Sequence, residues 1–166
     1  MITSTSSSQV KHVVNLQKKA KLRKEEKQFV VEGVKMVSEA PADRLVKVYV
    51  SETFKADNEE FLERMNYDSI GKDVLEIVTD NVFMRMADTQ TPQGIMAVVR
   101  MSDTDLEGIL SDKRNPLLLI IENLQDPGNL GTIVRMAEGA GVTGIIMSSN
   151  TVDTVSYTHL RAHETL

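Results

Sequence analysis

The chain has no cysteine and no tryptophan, and only four prolines in 166 residues. Without cysteine there is no disulfide, no thiolate metal site and no cysteine nucleophile, which fits a reducing compartment such as the cytoplasm. Aromatic residues make up 4% of the chain, so there is little from which to build a stacking platform for single-stranded bases. The opening MITSTSSSQVKHVV holds no apolar core of signal-peptide length. No apolar run nears the ~18 residues of a membrane span. The expectation is a cytoplasmic protein with no membrane partner.

What is present is charge, unevenly spread. Residues 1–35 hold eight basic residues against Glu25, Glu26 and Glu32, a net +5, while the other 131 residues hold 11 basic and 21 acidic, a net −10. A basic end on an acidic body is expected where one surface meets a polyanion. The candidate contacts are Lys11, Lys18, Lys19, Arg23 and Lys24. Lysines and arginine at 18–24 are too dense for one helix face, so the cluster should span a helix end and the following turn. A charge run of this kind is equally compatible with a plain solvated helix.

The periodicity alternates strand and helix. Residues 4–8 are Ser/Thr-rich and should fray. A helix is predicted from Ser8, with apolar Val10, Val13, Val14, Leu16 and Leu22. Strands are predicted at 29–33, 45–50, 75–78, 94–99, 117–121 and 144–147, and helices at 33–39, 58–65, 80–86 and 129–139. Thr79-Asp80 supplies an N-cap. Residues 1–100 therefore read as one α/β domain, 101–114 as a linker with a short helix at 106–110, and 115–154 as one βαβ unit. The run LLLII at 117–121 suits a strand buried on both faces of a parallel sheet.

The turn between the last two strands carries chemistry. Asp126-Pro127-Gly128 is a strong turn signal, and Asn129 stands where an N-cap belongs. Gly131 would let a ligand or another chain come close to the backbone. Arg135 lies six residues past Asn129, which is 240° around the helix after full turns, but its side chain leans back towards the helix start. Its planar fork suits a phosphate. The plain alternatives are that Asn129 only caps, that the glycines only pack, and that Arg135 pairs with Glu138. The segment is not a dinucleotide fingerprint, and no phosphate-loop lysine follows it.

The stretch ENLQDPGNLGTIVRMAEGAGVTGIIM, with Asn129, Gly131, Arg135 and Ala137 in the pattern N-x-G-x-x-x-R-x-A, resembles the first motif of the SpoU/TrmH-type RNA 2′-O-ribose methyltransferases of the SPOUT superfamily. The earlier part resembles the RNA-binding domain often fused before it. That match lies in Val10-Lys11, the basic run to Arg23, Phe29-Val30-Val31-Glu32-Gly33 and Thr91-Pro92-Gln93-Gly94. The resemblance implies a small ribosomal-protein-like α/β RNA-binding domain, followed by the first βαβ part of a trefoil-knotted methyltransferase domain. It implies S-adenosylmethionine as cofactor, a homodimer, and ribosomal or transfer RNA as substrate. Asn129 would support the active-site geometry and Arg135 would meet the ribose-phosphate across the dimer. A guanidinium stays protonated, so holding phosphate suits it better than acting as a base.

The family's later motifs, a Gly-Glu pair and an Ile-Pro-Met turn with a Ser-Leu-Asn helix, do not follow residue 153. The expectation is an N-terminal fragment, inactive as it stands, without cofactor-binding residues. The phrase SYTHLRAHET resembles the translation of a sequencing adapter, so residues 155–166 are expected to be a non-native tail. His159 and His163 are spaced i, i+4, but no third ligand has sensible spacing, so no metal site is expected. Two rival readings remain: a non-catalytic RNA-binding module over residues 8–100, and a small-ligand domain with a phosphate site at the Asn129 helix start.

Overall fold

The computed structural model describes residues 1–65, 74–102, 106–110 and 115–153. The predicted tail at 155–166, with His159 and His163, lies outside them, as does part of the predicted linker. The chain divides into two compact units, Met1–Met101 and Ser102–Leu166, and each is described by itself.

Unit 1 is an α/β sandwich. Its elements are α1 (Ser8–Lys18), α2 (Ala20–Glu26), β1 (Gln28–Glu32), α3 (Val34–Glu39), a 3-10 turn (Ala42–Arg44), β2 (Leu45–Ser51), α4 (Glu52–Asp57), α5 (Glu59–Arg64), β3 (Leu75–Val78), α6 (Asp80–Met86) and β4 (Ile95–Arg100). The sheet order is β1-β4-β2-β3. β4 runs antiparallel to both β1 and β2, and β3 is parallel to β2. Side chains alternate across a strand, and here both faces are covered. Val30, Tyr49, Met96 and Val98 point to a core shared with Val10, Val13 and Leu16 of α1 and Val82, Phe83 and Met86 of α6. Val31, Val48, Val50, Ile95, Ala97 and Val99 point to the other core, with Val37, Phe54 and Leu62 of α3, α4 and α5. Burying a side chain of this size contributes about 1.5–3 kcal/mol, so the two covered faces explain why β4 reads IMAVV without alternation.

Several expectations change. Ala20–Glu26 is a second helix where a turn was expected. Glu52–Asp57 is a helix that the periodicity did not signal; the Ser51 side chain caps it, accepting from the Phe54 N–H. Thr79 stands at the N-cap of α6 but makes no side-chain cap bond. Residues 4–8, expected to fray, form a turn in which the Ser7 N–H donates to the Ser4 carbonyl at 3.2 Å before α1 begins at Ser8; ahead of it Ile2 bridges Val78 at the β3 edge, the Ile2 N–H donating to the Ile77 carbonyl at 2.8 Å.

Unit 2 holds α7 (Leu106–Leu110), β5 (Leu118–Ile121), α8 (Pro127–Gly139) and β6 (Gly144–Met147). β5 and β6 pair in parallel, Leu118 opposite Gly144 and Ile121 opposite Met147. The expectation of a strand buried on both faces fails among the described residues. Ile121 is buried, but Ile120 is 73% exposed and Met147 is exposed as well. Ile109 of α7 packs beside Gly144 and Leu118, but among the described residues nothing buries Ile120.

Candidate nucleic-acid interface and strand–turn–helix site

The α1–α2 corner is held from inside. Arg23 is 5% exposed, and its Nη1 donates to the Leu16 carbonyl at 2.7 Å and the Gln17 carbonyl at 2.8 Å. These are last-turn carbonyls of α1, which have no partner within the helix. Arg23 therefore closes a helix end, and this corrects its expected place among the RNA contacts: a buried, bonded guanidinium does not reach a phosphate. His12 Nε2 and Glu26 Oε2, 2.6 Å apart, join the two helices a second time. The other predicted contacts, Lys11, Lys18, Lys19 and Lys24, are all exposed. Lys11 and Lys18 are seven residues apart and so share a face of α1, about 10 Å from each other along its axis.

The fold adds a pattern that the linear charge count hides. The layer of α1, α2 and α6, with the connecting Lys19 and Lys27, carries eight basic residues against Glu25, Glu26 and Asp80. The opposite layer, residues 34–64 outside β2, carries Lys35, Arg44, Lys55 and Arg64 against seven carboxylates. One sheet thus separates a cationic layer from an anionic one. Arg85, exposed on α6, belongs to the cationic layer. No sequence signal marked it, because it joins the lysines only through packing of α6 on α1.

The two other phrases that carried the resemblance meet at one end of the sheet. The Val34 N–H, at the start of α3, donates to Gln93 Oε1 at 2.7 Å. Gly33 and Gly94 both have positive φ, at 97° and 88°. A Cβ on Gly94 would stand 2.7 Å from Phe54 Cβ. The Glu32 carboxylate accepts from the Asp88 N–H and the Thr89 hydroxyl. Beside this clasp a cavity of about 330 Å³ is lined by Ser51, Thr53, Asp57, Asp80, Met84 and Pro92, among others. The Thr53 hydroxyl, and then its N–H, hold the Asp80 carboxyl below its ordinary range. In the core under α1 and α6, burial and then the Glu76 charge push the Tyr49 phenol up to about 12. Its hydroxyl donates to Gln9 Oε1.

In unit 2 the turn is not built as expected. Asp126, not Asn129, caps α8: its Oδ1 accepts the Asn129 N–H at 2.6 Å, and Pro127 opens the helix. Proline suits the first helical position because its missing N–H would have had no partner there. Asn129 is thus the third residue of the helix, in its first turn, and exposed, while Gly131 is buried. The Arg135 side chain runs back along the helix, Nη2 donating to Thr132 Oγ1 at 3.2 Å, and Thr132 Oγ1 donates to the Gly128 carbonyl. Arg135 Nη1 is buried without a hydrogen-bond partner, and no ion pair to Glu138 forms. Buried donors are nearly always satisfied. The adjoining loop is fixed by the chain after β6: the Asn123 N–H donates to Ser148 Oγ at 2.9 Å, and Gln125 Nε2 donates to the Asn150 carbonyl at 2.6 Å. The described residues hold no group of His, Cys, Asp and Glu suited to a metal, and no helix long and apolar enough to cross a membrane.

Comparison with known proteins gives a family match and several relatives. Residues 7–97 match the family described as the MRM3-like substrate binding domain. The chain is 31% identical over 159 residues to human "rRNA methyltransferase 3, mitochondrial", covering 90% of this chain and 36% of that protein. It is 30% identical over 125 residues to the Haemophilus influenzae "23S rRNA (guanosine-2'-O-)-methyltransferase RlmB", covering 72% and 49%. The AdoMet-bound rRNA methyltransferase of Sinorhizobium meliloti superposes with a TM-score of 0.78 at 25% identity, over 98% of this chain and 59% of that one. The chain therefore spans between about a third and three fifths of the length of these relatives.

Proposed function

The chain belongs to the SpoU/TrmH-type RNA methyltransferase family, whose MRM3-like substrate-binding domain it carries over residues 7–97, and on that footing we propose that the whole protein methylates a ribose 2′-hydroxyl of ribosomal RNA. S-adenosylmethionine, when bound to the whole protein, would supply the methyl group. Unit 1 holds the RNA through Lys11, Lys18, Lys19 and Lys24. Asn129 and Arg135 face the target ribose and its phosphate, with the homodimer as the working form.

The observation that carries this reading is the buried, unpartnered Nη1 of Arg135, whose side chain runs back along α8 to Thr132. A phosphate oxygen would satisfy it. The same group argues against a cofactor site here, because a guanidinium and a sulfonium carry the same sign of charge. These 166 residues taken alone are proposed to bind no S-adenosylmethionine; micromolar binding in isothermal titration would overturn that.

The activity is tested on the whole protein with ribosomal RNA and methyl-labelled cofactor. Label should appear in dinucleotides that resist alkali, since a methylated 2′-oxygen cannot attack its phosphate. Label on a base would sink the reading. Arg135→Ala should lower transfer about 100-fold or more while RNA is still bound, and Arg135→Lys should not restore it, because lysine lacks the planar fork.

A further inference from the structure

We propose that unit 1 docks on base-paired RNA through one helical layer, that of α1, α2 and α6, with Arg85 as a contact beside the lysines. The inference rests on the RNA-binding reading above and names the kind of RNA and the face that meets it. Three observations lead to it. First, the charge is layered: the sheet places an excess of basic residues on the α1–α2–α6 side and an excess of carboxylates on the α3–α4–α5 side. A polyanion is drawn to one and turned away from the other.

Second, the cations of that layer are available. Lys11, Lys18, Lys19, Lys24 and Arg85 are exposed and pair with no carboxylate among the described residues, and Lys21 of that layer is engaged by Glu25. Third, among the described residues the layer offers no exposed ring to unstacked bases. Phe83 of α6, and Tyr49 of β2 beneath it, are buried in the core. Single-stranded recognition depends on stacking bases on exposed rings. Lysines on a rigid helix corner, set by Arg23 and the His12–Glu26 pair, instead meet phosphates held at fixed spacing, as in a duplex. Such contact positions the protein but carries no sequence information. The choice of nucleotide then falls to the part of the protein that holds the ribose.

The test uses the 166-residue chain, a 20-base-pair RNA duplex and a 20-nucleotide oligouridine, with affinity followed over a salt series. The duplex should bind at least tenfold more tightly and show the steeper slope. K11E/K18E/R85E should weaken duplex binding at least 30-fold and flatten the slope by a little under one unit per lost contact. K35E/K55E/R64E, an equal change of charge on the opposite layer, should change it less than threefold. Equal losses from both triples, or oligouridine binding as tightly as the duplex, would overturn the proposal. If the first triple does not fold, acetylation of the wild-type chain decides: the duplex should protect Lys11 and Lys18 but not Lys35 and Lys55, and the reverse pattern refutes the docking face. Absence of binding to either RNA would defeat the broader RNA-binding reading too. Tight oligouridine binding would defeat only this inference.

Discussion

Two arginines in this chain, Arg23 and Arg135, differ in what their guanidinium groups find. Arg23 meets two carbonyls at the end of α1. Arg135 meets one hydroxyl and leaves a buried nitrogen without a partner. Arg23 thereby closes a helix end, and for Arg135 we propose that a phosphate oxygen is the further partner. Arg23→Met should keep the stem packed but strand the carbonyls, lowering the stability of unit 1 by about 2 kcal/mol; a denaturant midpoint measures this. Tyr49 makes a separate point. Its folded pKa, about 12, lies above the ordinary 10.0. The contribution is therefore fully present below pH 10 and is lost as pH rises towards 12, because the unfolded chain ionises first. The loss is of order 2 kcal/mol. Melting curves of Tyr49→Phe between pH 9 and 12 should lack that fall; an unchanged fall would assign it to another group.

At the scale of elements, the clasp between Gly33 and Gly94 is the most sensitive joint. Gly94→Ala combines a positive φ of 88° with a Cβ 2.7 Å from Phe54 Cβ. It should cost more than about 1 kcal/mol, seen as a lower melting temperature of unit 1. The strands of unit 1 were legible because Val, Ile and Tyr cluster in them and Gly or Pro punctuates their ends. Helix α4 was not, because six residues from Glu52 to Asp57 bury only Phe54 and so leave no period to read. α2 was hidden by its lysines, since what binds it to α1 is a buried arginine rather than an apolar stripe. The α8 turn was located correctly, but the cap was assigned three residues late. DPGN offers two capping side chains, and only coordinates show that Pro127 already has helical geometry. Arg85 could not be grouped with the lysines from sequence, because more than sixty residues separate it from Lys24.

At the scale of the whole chain, the two units differ in how complete their cores are. Unit 1 covers both faces of a four-stranded sheet. Residues 1–101 alone should unfold in one cooperative transition at the melting temperature they show in the full chain, monitored by circular dichroism. A shift of more than a few degrees would mean that unit 1 depends on residues 102–166 for its stability. In unit 2, Ile120 is 73% exposed among the described residues, although Ile109 packs at the neighbouring Leu118 and Gly144. The layering of charge in unit 1 has a kinetic consequence as well. Opposite signs on the two sides of one sheet give the domain an electric dipole along the sheet normal. With the docking face proposed above, a domain approaching RNA would be turned by that torque before contact, and a larger fraction of collisions would begin with that side forward. The sheet, in this sense, is a spacer that keeps the two poles apart.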